Sequence, residues 1–192
     1  EPFRDKFGMV AAGSDSRRVL PAVPGLAEPL PALVGNADGY GLTGVDVGAG
    51  SVVRRVRLFS TVGGAIAPSL AMEALRVAQG ARGYVMRSSD AAMEVSGGAE
   101  PGLVDIKNGA LVIPTDRDGA VWLRYAGPQP ERILPAWRVL EGDAVDPALM
   151  EELAGRIVFV GATAPGLRYL VQTPVASAVD ADDDVHLAEG VG

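Results

Sequence analysis

Apolar and polar positions recur with two different periods along this chain, and each period predicts a kind of element. In PSLAMEALRVAQ (68–79), Leu70, Ala74, Val77 and Ala78 share one helical face, while Glu73, Arg76 and Gln79 recur on another. The spacing predicts a helix over 68–79, opened by Pro68 at its first position and stopped by Gly80. Its glutamate and arginine are expected on the solvated side. Elsewhere β-formers dominate: LTGVDV (42–47) and SVVRRVRLF (51–59) flank Gly48-Ala49-Gly50 and read as two strands of a hairpin. LVDIK, Asn108-Gly109, ALVIP, Asp116-Arg117-Asp118-Gly119 and AVWLRY predict a three-stranded meander over about 103–125.

The remaining segments are shorter. Residues 81–102 read as loop apart from a strand at Tyr84–Arg87, and 136–140 as a helical turn. Asp146-Pro147 supplies an N-cap and a first-turn proline for ALMEELA, which Gly155 stops. RIVFVG follows at once, a run of β-formers too short for a helix that predicts a strand buried on both faces. Residues 1–40 carry Pro2, Pro21, Pro24, Pro29 and Pro31 between short apolar pieces and read as an irregular lead-in. The expectation is an α/β fold, a mixed sheet with a β-meander and few packing helices, over 41–179. An acidic tail over 180–192, with Asp180, Asp182, Asp183, Asp184 and Glu189, completes the chain.

Composition narrows the chemistry. The 192 residues are 48% apolar, and their 25 glycines and 14 prolines punctuate a packed chain of one domain, with room for a partly independent lobe. With no cysteine and a single histidine, His186, the chain offers no thiolate cluster, zinc finger, cysteine nucleophile or multi-histidine metal site. No cofactor is implied. A net charge of -7 and 5% aromatic residues argue against a nucleic-acid partner. No stretch is long and apolar enough to cross a membrane, and Glu1 begins the chain with no basic or apolar leader behind it. A cut fragment or mature product is expected, with any anchors outside it.

Several motifs look chemical. Gly39-Tyr-Gly41-Leu-Thr-Gly44 has the dinucleotide spacing, but a proline-rich coil precedes it and a predicted hairpin follows, so it reads as a loop. Gly161-Ala-Thr163-Ala-Pro-Gly166-Leu-Arg168 follows a predicted strand and has phosphate-loop spacing, yet Leu167 and Arg168 stand where lysine and a hydroxyl are needed. Nucleotide hydrolysis is rejected; a ligand role for Thr163 and Arg168 at a strand end is kept beside the plain turn. In Asp116-Arg-Asp118-Gly119, Pro114 and Tyr125 would take two calcium-ligand positions, which excludes an EF-hand and leaves a turn. Alternation sends Arg55 and Arg57 to one strand face and Arg54 to the other: a wet face with an ion pair, or an anion clamp at Arg54 and Arg55. His186 among aspartates reads as solvated or structural, and no nucleophile arrangement accompanies it.

Taken in order, GLTGVDVGAGSVVRRVRL, PSLAMEALR, PTDRDGAVWLRYAGP, VLEGDAVDPALMEELAGRIVFVGATAPGL, Thr173-Pro174 and Val185-His186 resemble the type-two CHASE domain. The match runs from about Gly41 to His186, and GRIVFVGATAPGL is its most telling piece. The chain departs from the family pattern at Gly48–Ser51, at Arg168-Tyr169 and at Asp182–Asp184, and the family's Asp-rich opening strand-helix-strand is not visible. The resemblance implies a periplasmic or cell-surface sensory module, joined by membrane helices outside this chain to an adenylate cyclase, histidine kinase or serine/threonine kinase. It implies no catalysis in this segment, an unknown small molecule or envelope protein as partner, and a homodimer that passes the signal inward. An assembly module that senses nothing is the second reading, and a carboxylate-based hydrolase the third.

Overall fold

Turn residues and the groups they free for pairing set the architecture. The computed structural model describes residues 6–44, 52–91, 100–126, 129–140, 147–162 and 172–175. The chain divides into two compact units, Glu1–Gly48 with Arg54–Leu123 and Ala49–Val53 with Arg124–Gly192. The first holds β1 (Gly8–Ala12), β2 (Ala22–Val23), α1 (Pro31–Asn36), β3 (Arg55–Arg57), β4 (Phe59–Val62) and β5 (Ala65–Pro68). After these come α2 (Leu70–Ala78), β6 (Gly83–Ser88), β7 (Leu103–Asn108), β8 (Leu111–Pro114) and β9 (Ala120–Trp122). The second holds α3 (Trp137–Leu140) and α4 (Pro147–Leu153). The fold is mixed α/β with few helices, as expected.

In the first unit a four-stranded sheet runs in the order β1-β6-β7-β8, a three-stranded sheet in the order β2-β4-β5, and β3 pairs with β9 alone. The β1–β6 and β2–β4 pairs are parallel; the others are antiparallel. Asn108-Gly109 turns β7 into β8 with Gly109 at φ 59, the left-handed conformation that glycine adopts without strain. The expected meander exists one strand earlier than the sequence suggests, as β6-β7-β8. Its predicted third strand, β9, leaves the sheet: the turn at 116–119 closes with Asp116 N–H on the Ala120 carbonyl and delivers β9 to β3, in register Arg55 opposite Trp122.

The hairpin expected from 42–47 and 51–59 is therefore corrected on its described residues. Arg55–Arg57 pairs with Ala120–Trp122, Leu42 bridges Ser69 and Val52 bridges Gln172, while residues 45–51 lie outside the described residues. Leu42 is taken up at the start of α2, where its N–H reaches the Pro68 carbonyl and its carbonyl accepts from Leu70. The lead-in is not irregular either, since β1 and β2 both join sheets.

The helix forms where it is expected but begins two residues later and faces differently. Pro68 ends β5, and Ser69 caps α2 by accepting from the Met72 N–H. Met72, Glu73 and Arg76 are buried, whereas Val77 and Ala78 are exposed. The core beneath α2 joins Leu20, Leu58, Phe59, Met72, Tyr84, Met86, Leu103 and Ile106. Tyr84 is its hub, meeting Phe7 and Phe59 edge to face at 5.3 and 4.9 Å.

In the second unit α4 begins at the predicted proline and ends before Gly155 at φ 71; the predicted cap, Asp146, lies outside the described residues. The turn at 136–140 is present as α3. RIVFVG is not a buried strand: Ile157, Val158, Phe159 and Val160 are exposed, Val160 at 90%. Among the described residues it pairs with no strand, and β-formers alone cannot satisfy a ladder without a neighbour.

Candidate functional site

Two strands of three residues bring four charges and an indole together. Alternation along β3 places Arg55 and Arg57 on one face of the β3–β9 ribbon, opposite Trp122 and Ala120 of β9. The turn before β9 adds Asp116 and Asp118. Arg55 Nη2 lies 2.6 Å from Asp116 Oδ2 and 3.0 Å from Asp118 Oδ1, and Arg57 Nη2 lies 3.6 Å from Asp118 Oδ2. The Arg55 guanidinium also sits 5.7 Å from the centre of the Trp122 ring, close enough for a cation–π contact. Trp122 is 67% exposed, so much of the indole faces solvent beside these carboxylates.

A second cluster in the same unit is closed to solvent. Glu73 and Arg76, three residues apart on α2, form a two-pronged pair: Nε to Oε2 at 2.9 Å and Nη2 to Oε1 at 2.8 Å. The Tyr84 hydroxyl donates to Glu73 Oε2 at 2.5 Å. Arg76 donates further to the carbonyls of Ala81 and Asp38, at 2.7 and 3.0 Å, tying the segment before α2 and the turn after it to the helix. Burial, then the Glu73 carboxylate, pushes the Tyr84 phenol well above the ordinary tyrosine range, and the bond to Glu73 raises Arg76. A Cβ at Gly39 would fall 2.0 Å from Glu73 Oε1, and one at Gly41 2.6 Å from the Leu70 backbone. The two glycines of the dinucleotide-like motif thus let the chain cross α2, which confirms the loop reading.

A third cluster lies at the carboxyl ends of the parallel strands β1 and β6. Asp90 accepts from the Ser88 hydroxyl and from the Ser14 hydroxyl and N–H, the latter two at 2.7 and 3.1 Å. Those bonds, Ser88 first, hold its carboxyl well below the usual carboxylate range. Both carboxylate oxygens accept from within the chain, which marks a strand-end tie.

Of the four residues expected at a ligand, Arg54 and Arg55 lie on β3 and its approach, with Arg54 exposed and Arg55 engaged by two aspartates. The ion-pair reading of that strand holds for Arg55 and Arg57. Thr163 and Arg168 lie outside the described residues, as does His186. The buried pair on α2 escaped the sequence reading because helical periodicity locates a face without saying which charged side chains will find partners under it. Among the described residues no three of His, Cys, Asp and Glu are grouped to hold a metal, and no helix is long and apolar enough to cross a membrane. The family model described as CHASE2 domain matches residues 5–191. No curated protein and no solved structure matches the chain.

Proposed function

The chain belongs to the CHASE2 domain family, a family of extracytoplasmic sensory domains, and from that premise we propose that it receives a signal on the periplasmic face of a transmembrane receptor. The observation that carries this reading is the family match across 5–191, nearly the whole chain. The output is a cyclase or kinase in the cytoplasm, reached through membrane helices outside this segment. A ligand or envelope partner that binds one arrangement of a homodimer better shifts its equilibrium, and no more than that differential affinity is transmitted. The segment itself carries no reaction. The experiment reads the coding sequence on either side and inserts alkaline phosphatase into this segment. Apolar helices, an output domain and external phosphatase activity are expected; a segment flanked by neither, with a silent reporter, overturns the reading.

One observation favours the second reading, an assembly module. In the second unit Ile133, Trp137, Leu140 and Val160 are exposed, more apolar surface than a solvated face needs. Thermal unfolding separates the two. A small ligand at one hundred times its dissociation constant adds about 2.7 kcal/mol. An assembly module is stabilised by no metabolite or ion, and only by the envelope protein it holds.

A further inference from the structure

The outer face of the β3–β9 ribbon has a composition that selects among ligands. Arg55 and Arg57 stand against Asp116 and Asp118, so two positive and two negative charges neutralise one another within the ribbon. A carboxylate or phosphate ligand would meet Asp116 and Asp118 where it needs donors. A cationic ligand would meet Arg55, already 5.7 Å from the centre of the indole ring. A purely apolar partner would bury four charges whose partners now share them with water. What the face offers is the open part of an indole, exposed at 67%, flanked by half-exposed carboxylate acceptors and guanidinium donors.

From this we propose that the ribbon face of Arg55, Asp116, Asp118 and Trp122 binds a neutral saccharide, which names a ligand class for the sensory reading above and rests on it. A pyranose ring presents C–H bonds on one face and hydroxyls around its rim. The electron-rich indole face attracts the C–H bonds. Carboxylate oxygens accept from the rim hydroxyls and the guanidinium donates to their lone pairs, each a charge-assisted bond. Neither strand has to move, because Trp122 and Arg55 already face outward as a cross-strand pair. Arg54, on the opposite side of β3, takes no part. The anion clamp gives way to a neutral one at Arg55.

The test uses the whole 192-residue chain, whose two tryptophans are Trp122 and Trp137. Trp137→Phe leaves Trp122 as the only indole, and its fluorescence is titrated with a β-glucan, dextran, galactomannan and chito-oligosaccharides, with polygalacturonate as the anionic comparator. At least one neutral glycan should give a saturable change that is insensitive to salt. In the wild-type background, Trp122→Ala should weaken binding of that glycan at least ten-fold in affinity electrophoresis, Asp118→Asn several-fold, and Arg54→Ala not at all. Unchanged melting temperatures show that the variants are folded. Binding by no neutral glycan, or equal binding by Trp122→Ala, overturns the inference. So does salt-sensitive binding of polygalacturonate alone that Arg54→Ala abolishes, which returns the site to an anion clamp. The phosphatase and flanking-sequence experiment is independent of all these outcomes, so either reading can fail while the other stands.

Discussion

Two clusters of arginine and carboxylate sit in one unit of this molecule and do different things. On α2, Glu73 and Arg76 are closed from solvent at 2% and 6% exposure, with Tyr84 and two backbone carbonyls completing their bonds. On the ribbon, Arg55 and the two aspartates it meets are each exposed by roughly a third or more. The chemistry is the same; the surroundings decide its role. A buried pair is held because removing one partner strands the other without water, while an exposed pair exchanges freely with solvent and leaves its atoms available to something else.

Four measurements bear on that contrast. Glu73→Ala should have the largest effect, about 3–5 kcal/mol lost in urea unfolding, because Arg76 stays buried and uncompensated. The double change Glu73→Leu with Arg76→Met should recover much of it; equal losses in single and double variants would show that the pair matters for something other than charge. Tyr84→Phe comes next, at about 1.5–3 kcal/mol for a hydrogen bond to a charged group. It also carries a pH signature. The Tyr84 phenol is raised in the fold, so its contribution is complete below the unfolded value of 10.0 and declines as pH rises above it. Stability of the wild type should therefore fall through the alkaline range, and that excess fall should vanish in Tyr84→Phe.

Gly39→Ala probes the closeness of the crossing over α2. Its Cβ would land on Glu73, whose position is fixed by Arg76 and Tyr84, and the expected loss is about 1–3 kcal/mol. A neutral result would mean that the segment before α2 moves aside and that the buried cluster is looser than its bonds suggest. Arg55→Ala is expected to be the smallest, about 0–1 kcal/mol, as for exposed pairs generally. A loss as large as that of Glu73→Ala would remove the distinction between the two clusters.

What could be read in the sequence follows the range of the interactions involved. Asn108-Gly109 and Gly155 act through their own backbone angles, and both stand where the pattern placed them. Helix α2 was found through its own periodicity and the stop at Gly80, although Pro68, read as its first position, ends β5 and Ser69 is the cap. Partner choice between distant strands was not legible: nothing local in AVWLRY says that it will pair with Arg55–Arg57 rather than with its hairpin neighbour. RIVFVG shows the limit from the other side, since β-propensity was strong and the pairing that makes a strand is missing among the described residues. The ribbon site was half visible. The arginines and the Asp-Arg-Asp-Gly turn were both noted, but only the fold shows that they belong to each other and share a face with Trp122.

The parallel pairing of β1 with β6 has a kinetic meaning. From α2 through β8 the first unit is assembled by near neighbours: a capped helix and a hairpin whose turn Gln79 of the helix end holds, through Asn108 and Ala110. By contrast β1 is fastened by contacts such as Ser14 to Ser88, which close a loop of 74 residues. Closing so long a loop is entropically costly and returns little until its far end is ordered. The middle of the chain should thus nucleate and the amino-terminal strand should dock last. In pulse-labelled hydrogen exchange, Asn108 and Ile106 should gain protection before Val10; the reverse order would place the nucleus at the parallel pair.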